Sequence, residues 1–445
     1  MSKSNRFAKS KILAGIVAAS AVLPASAQQL EEIIVTAQQR AQSLQDVPVS
    51  VSAVSAEKMS DVGVVDLEGL SSYVPNFSIN ETGISTTITV RGISSGVNSA
   101  FEQSVGMYND GVFYGRDQLA RVPLFDLERV EVLRGPQGIL FGKNSIAGAV
   151  SQISAKPSDE LEGNVTVLYE PDAKERDVRF VVSGPLSDSV RGRLAILDRE
   201  QDGYFENTTL GRDEQIEDES FIRASLEWDV SDNFTANFKV SQAKFDIEGR
   251  NIEVYNSITD GNPGSVDHLT VLNSIQSNVG GGVVGGTLNR VRDNNGDNSF
   301  NEVNNATINL EWALDGITIT SITSNVDYEF TEVCDCDFTG AVVFDADRIE
   351  NYDQFSQELR FTSDLGGTVD YIGGLFYQTS ELEYVDKINL PTNSILPIAI
   401  NQLSPAAAGV AALAPGAFTQ RDYALDTDVF AVFLQATWNI LTPCV

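Results

Sequence analysis

The sequence is poor in the residues that most chemistry needs. It holds one histidine, three cysteines and three tryptophans in 445 residues. The only histidine, His268, falls in a long Gly/Asn-rich connection, so no Ser/His/Asp or Cys/His set is available and an enzyme reading has nothing to stand on. Three cysteines do not make a disulfide-rich scaffold. Bases are scarce as well: 30 Lys and Arg stand against 62 Asp and Glu, a formal net charge of −32. That balance argues against nucleic acid or anionic headgroups as partners. After residue 27 no apolar run has the length and continuity of a membrane helix. The nearest, from Ile395 to Phe418, is broken by Pro397, Pro405 and Pro415 and reads as a loop with room for one short helix.

What the chain does have begins with its first residues. Lys3, Arg6, Lys9 and Lys11 form a basic start without an acid. The apolar run ILAGIVAASAVL, Pro24 and the small residues Ala25 to Ala27 follow. This is the pattern of a secretory signal peptide over residues 1–27. An exported chain without a spanning helix is periplasmic, secreted or an outer-membrane barrel. Next comes EEIIVTA, whose β-branched residues Ile33, Ile34, Val35 and Thr36 favour an extended strand.

Two textures follow. Residues 46–158 are mixed α/β: a helical stretch ending near Pro75, the strand STTITVRGI, a second strand over 130–133, a Gly/Pro turn and the strand GAVSQISAK. From residue 159 onward, segments of about ten residues alternate apolar and polar, as in FIRASLEW and NFTANFKVSQ. The alternation predicts ten strands near 163–169, 176–184, 190–199, 220–230, 234–246, 304–313, 316–330, 352–363, 368–384 and 426–440. The connections after the second, fourth, sixth and eighth strands are short and those after the third, fifth, seventh and ninth are long, which is the pattern of an outer-membrane barrel with short periplasmic turns.

The motifs EEIIVTA, VRGI, LERVEVLRGPQGILFGKNSIAGAVSQISAKP, FSQELRFTS and YIGGLFY resemble those of the TonB-dependent outer-membrane receptors. The resemblance implies a transmembrane antiparallel β-barrel in the outer-membrane lipid, with an N-terminal α/β plug domain. The expected organisation is a signal peptide (1–27), a TonB-box segment (28–45), a plug (46–158) and an incomplete barrel (159–445). The family expects twenty-two strands, so the chain reads as the N-terminal part of a longer receptor. A closed ten-stranded barrel is the alternative. The implied function is active uptake of a scarce solute, foremost a ferric siderophore. It would be energised by TonB and its inner-membrane complex pairing with Glu31, Glu32, Ile33, Ile34, Val35, Thr36 and Ala37. A passive porin, a structural or adhesive barrel, and a non-functional truncated receptor are the other readings. No cofactor is expected.

Further expectations attach to single residues. Arg91 and Arg134 each precede a glycine at a plug strand. They are expected to lock the plug to lumen-facing carboxylates, with Glu227, Glu311 and above all Glu358 as candidates. Gly92, Gly135, Pro136, Gly138 and Gly142 are expected to make the plug turns. GILFGKNS falls one residue short of a phosphate-binding loop and has Asn144 where Ser or Thr belongs. Asp293, Asn295 and Asp297 have the spacing of a calcium loop's start, but Asn298 and Asn304 replace its turn glycine and final Glu, so a polar loop is favoured. Cys334 and Cys336 are a poor zinc site and are candidates for a disulfide between near neighbours. The ligand is not legible.

Overall fold

The computed structural model describes residues 34–36, 38–81, 86–96, 102–172, 174–250, 252–254, 267–279, 291–292, 294–398 and 416–439. The leader, Glu31, Glu32, Ile33, Ala37 and Asp293 lie outside the described residues.

Near the N-terminus β1 (Ile34–Val35) pairs antiparallel with β2 (Gln42–Ser43). A small sheet follows, in the order β3-β8-β9-β6-β7, made from β3 (Val51–Ser55), β6 (Val105–Asn109), β7 (Val112–Tyr114), β8 (Leu127–Arg134) and β9 (Gly148–Ser154). All of its pairs are antiparallel except β6 with β9. The strands β4 (Phe77–Glu81) and β5 (Thr86–Val90) make a separate hairpin. In β8 every residue but Glu128 and Arg134 is buried, so this strand forms the centre of the domain. The expected single helical stretch is two short helices, α1 (Ala56–Asp61) and α2 (Leu67–Ser71). Gly63 breaks the run with φ +69°, and the side chains of Ser55 and Asp66 cap the two pieces.

The rest is one ten-stranded antiparallel sheet. Its strands are β10 (Glu162–Glu170), β11 (Glu175–Ser187), β12 (Val190–Gln201), β15 (Ile216–Ser231), β16 (Phe234–Glu248), β18 (Asn298–Leu314), β19 (Ile317–Asp335), β20 (Asp345–Ser363), β21 (Val369–Asn389) and β22 (Phe418–Trp438). Each pairs with its neighbours in chain order. One face carries exposed Ile222, Trp228, Phe238, Val240, Phe430, Val432 and Leu434; the other buries Arg223, Lys239 and Gln354 against the small domain. That is a lipid-facing outside and a polar inside. Among the described residues no helix is long and apolar enough to cross a membrane. All three tryptophans lie at one end of the wall, where Val190 pairs with Trp228, Phe234 with Trp312 and Val369 with Trp438. Tryptophan prefers the membrane–water interface, so this end marks one edge of the apolar band.

The ends of the wall differ. At the tryptophan end the turns are short. At the other, long connections carry β13 (Phe205–Asn207), β14 (Arg212–Glu214), β17 (Val291–Arg292) and α3 (His268–Val279). Val271, Leu272 and Ile275 of α3 pack with Ala341, Val343 and Ile395 from two other connections, roofing the wall with an apolar cluster. Among the described residues β10 pairs only with β11, and β22 only with β21, so the sheet has two open edges.

Candidate functional site

The N-terminal strand is docked on the plug. Val35 is 0 % exposed, packed with Val47, Tyr108, Phe113, Leu133 and Phe141, while Ile34 beside it is 43 % exposed. This is period two at work: one face enters the core and the next residue faces out. Thr36 donates its backbone N–H to Glu131 Oε1 at 2.7 Å and its hydroxyl to the same oxygen at 3.1 Å. Arg129 Nε holds that oxygen from the other side at 2.7 Å. Both Arg129 and Glu131 are buried, so the charges are desolvated and depend on one another. Arg40 donates to Tyr371 O at the start of β21, which puts this segment at the end with the short turns.

Three sets of contacts join the plug to the wall. At the first, Arg193 donates to Asp126 Oδ1 through Nε at 2.9 Å and Nη2 at 2.6 Å, and Arg223 Nη1 donates to Asp126 O at 2.8 Å. At the second, the turn between β6 and β7 meets Lys239, whose Nζ donates to Asn109 Oδ1 at 2.5 Å and pairs with Asp110. At the third, Arg116 donates to Glu350 through Nε at 2.7 Å and through Nη2. The Tyr328 hydroxyl donates to the same carboxylate.

The third set lies nearest the long connections. Tyr328 and Tyr352 have ring centroids 5.6 Å apart, Tyr384 stacks on Tyr423 at 4.8 Å, and the Arg348 guanidinium lies 5.5 Å from the Tyr384 ring. Asp117, next to Arg116, has its carboxyl pushed up to about 6, by burial first and then by the Glu350 charge. A short link joins this cluster to the docked strand. Gln354 Nε2 donates to Phe113 O at 2.7 Å; Phe113 packs in the Val35 cluster, and Arg116 lies three residues further along the chain.

Residues 43–149 match the family model for the TonB-dependent receptor plug domain. The chain carries the plug domain of the TonB-dependent outer-membrane receptors. It is 30% identical over 264 residues to the pesticin receptor of Yersinia pestis, a match covering 54% of this chain and 37% of the relative. It is 31% identical over 193 residues to the ferrioxamine B receptor of Salmonella typhimurium, covering 42% of this chain and 26% of the relative. The chain therefore matches well under half the length of either. Among solved structures, the ferric yersiniabactin uptake receptor of Yersinia pestis superposes with a TM-score of 0.63 at 18% identity, covering 87% of this chain and 61% of the other. A Pseudomonas aeruginosa receptor bound to pyoverdine superposes with a TM-score of 0.65 at 15% identity, covering 92% of this chain and 52% of the other. These likenesses show the plugged-barrel fold.

In this chain the residues expected to lock the plug do not meet. Arg91 is exposed in the turn where Val90 bridges Ile93, and it approaches Gly135 within the plug. Arg134 Nη1 donates to Pro75 O at 3.1 Å, also within the plug. Glu358 accepts from Arg360 Nε at 2.7 Å along its own strand. Glu227 pairs with Arg191, and Glu311 is exposed near the short-turn end of β18. At two of the three contact sets the signs are reversed from the expectation, with plug acids Asp126 and Asp110 held by wall bases. Their sequence signal was the basic residue on the polar face of three strands: Arg193, Arg223 and Lys239.

The glycines divide. Gly92, Gly135 and Gly142 have φ of +78°, +102° and +71°, and Gly138 does not turn this way. At Gly135 the positive φ favours glycine, and a Cβ would also come within 3.0 Å of Arg91 Nη1. Pro136 follows it on the exposed surface. In the loop with calcium-like spacing, Asp297 accepts from Asn294 Nδ2 at 2.5 Å and from the Asp335 N–H at 2.7 Å. Its oxygens are tied into a hydrogen-bonded knot, and Cys334 is joined to Cys336 beside it.

Proposed function

We propose that the protein works in TonB-dependent uptake of a ferric siderophore across the outer membrane, with residues 31–37 as the segment that TonB grips. The observation carrying this reading is the docking of Val35 and Thr36 on the plug. A passive pore has no use for a strand held at its periplasmic mouth by a buried ion pair. An extended segment with one apolar face can add to the edge of a partner's sheet, using the same backbone groups that now pair with β2. The upper lumen, with Arg116, Arg348 and four tyrosines, is where solute would be bound. Arg91, Arg134 and Glu358 are assigned to the structure of plug and wall, Gly92, Gly135 and Gly142 to plug turns.

The test is uptake of a panel of ⁵⁵Fe-loaded siderophores in a host lacking its own receptors, with and without TonB. The expected result is TonB-dependent accumulation of one chelate class, abolished by Ile34→Pro while surface binding persists. Accumulation that ignores both TonB and Ile34→Pro would overturn the reading.

A further inference from the structure

The lipid-facing wall is not smooth. Across β11, β12, β15 and β16, next to the tryptophan end, lies an apolar groove of about 460 Å³. Its floor is made by Gly184, Gly192 and Ala224, and Leu161, Leu186 and Phe238 rise around it. The register pairs Gly184 with Gly192 and Gly192 with Leu226, so the small residues lie side by side on the outer face. A Cβ at Gly192 would come within 3.0 Å of Leu186 Cδ1, and one at Gly184 within 2.9 Å of the Leu161 Cα. Side chains at these positions would fill the groove; glycine keeps it open. Trp228, two residues beyond Leu226 on the same face, sits between the groove and the short turns.

Those turns share a charge. The four connections at the tryptophan end carry Asp188, Asp232, Asp315 and Asp364, and none of them contains Lys or Arg. Turn chemistry favours aspartate at each position taken alone. Together they place an acidic rim at the headgroup level of the periplasmic leaflet. Arg191, the base nearest in sequence to the Asp188 turn, is already held by Asp159 at 2.5 Å, Glu227 at 2.7 Å and Asp229 at 2.6 Å. Asp188 and Asp232 themselves are exposed, on the two turns that join the four grooved strands in pairs.

We propose that this groove seats an acyl chain of a periplasmic-leaflet phospholipid whose headgroup carries an ammonium, held over the Asp188 and Asp232 turns. An apolar slot continuous with the lipid-facing band fits a hydrocarbon chain. An acidic rim beneath it attracts an ammonium and repels a headgroup of net negative charge. The chemistry described is that of phosphatidylethanolamine rather than phosphatidylglycerol.

The full chain is reconstituted in phosphatidylcholine bilayers as the Trp312→Phe/Trp438→Phe variant, so that Trp228 alone reports. Lipids brominated on the acyl chain are titrated in over the same range of mole fraction, either as phosphatidylethanolamine or as phosphatidylglycerol. The expected result is that Trp228 emission is quenched at roughly five-fold lower content of the ethanolamine lipid. Gly192→Leu, which fills the slot, removes this preference; Gly192→Ala gives an intermediate value and carries the test if the leucine variant fails to fold. Asp188→Asn/Asp232→Asn narrows the gap between the two lipids. Equal quenching by both lipids, or a preference that survives in Gly192→Leu or Gly192→Ala, overturns the proposal. So does a change of oligomeric state in Gly192→Ala, which would give the groove to a second protein chain.

Discussion

Thr36 and Glu131, 95 residues apart in the chain, are joined by two hydrogen bonds to a single carboxylate oxygen. The same oxygen is held by Arg129, so a buried ion pair supplies the anchor and the docked strand supplies two donors. Bonds to a charged acceptor are the stronger kind, and these hold the segment that TonB is proposed to grip.

Thr36→Val removes the hydroxyl bond and keeps the backbone one. It should cost about 1 kcal/mol of docking. Glu131→Ala removes both bonds and should cost about 1–3 kcal/mol, because Arg129 keeps Glu128 as a partner. Both are read from the labelling rate of an Ile34→Cys variant with an impermeant thiol reagent. The rate should rise in the order wild type, Thr36→Val, Glu131→Ala; equal rates would show that the carboxylate does not hold the strand.

Arg116 and Glu350 are both buried, and each is the other's charge partner. Glu350→Gln should destabilise the plug by about 1–3 kcal/mol through loss of the buried charge pair, with Asp117 left beside the guanidinium. Adding Arg116→Met should return part of that loss. A double-mutant cycle on thermal unfolding measures the coupling, and additive losses would deny that the two act as a pair.

Asp126 accepts from Arg193 at its carboxylate and from Arg223 at its carbonyl. Asp126→Ala leaves the two wall guanidiniums near each other without their shared carboxylate. The plug should then leave the wall at lower urea, seen as earlier proteolysis of residues 46–158 with the sheet still intact. Lys239→Met should have a similar effect at the β6–β7 turn by freeing Asp110.

Asp117 gives the plug a dependence on pH. Its carboxyl titrates at about 6 in the fold, against 3.8 in the open chain. Between those values the folded state binds the extra proton, so stability is greatest below about pH 4 for this group, falls as pH rises to about 6, and is level above it. Asp117→Asn should remove this part of the slope in melting temperature between pH 4 and 6. An unchanged slope would assign it to another carboxylate.

Much of the fold is legible in the sequence, because a barrel wall writes its two faces as period two. All ten expected strands are present. Their far ends were missed: β18 begins at Asn298 rather than near 304, β20 at Asp345 rather than near 352, β22 at Phe418 rather than near 426. The strands rise past the apolar band there. Above it the outward residues are Lys244, Glu302, Asp327, Asp353 and Asp428, so apolar alternation stops while the pairing of Lys244 with Glu302 and Asp327 with Asp353 goes on. The plug–wall partners were less legible for a related reason. Periodicity says which face a residue is on, not at what height. Glu358 and Glu350 share the inner face of β20, yet only Glu350 lies level with Arg116. Nothing in the alternation separates them.

The two open edges carry an arithmetic of their own. β10 runs away from the short-turn end, and β22 runs back toward it. Antiparallel pairing alternates direction at every step, so any strands inserted between these edges to close the wall must be even in number. A single added strand, or any odd set, would meet β10 running parallel and leave the ring mismatched at its seam.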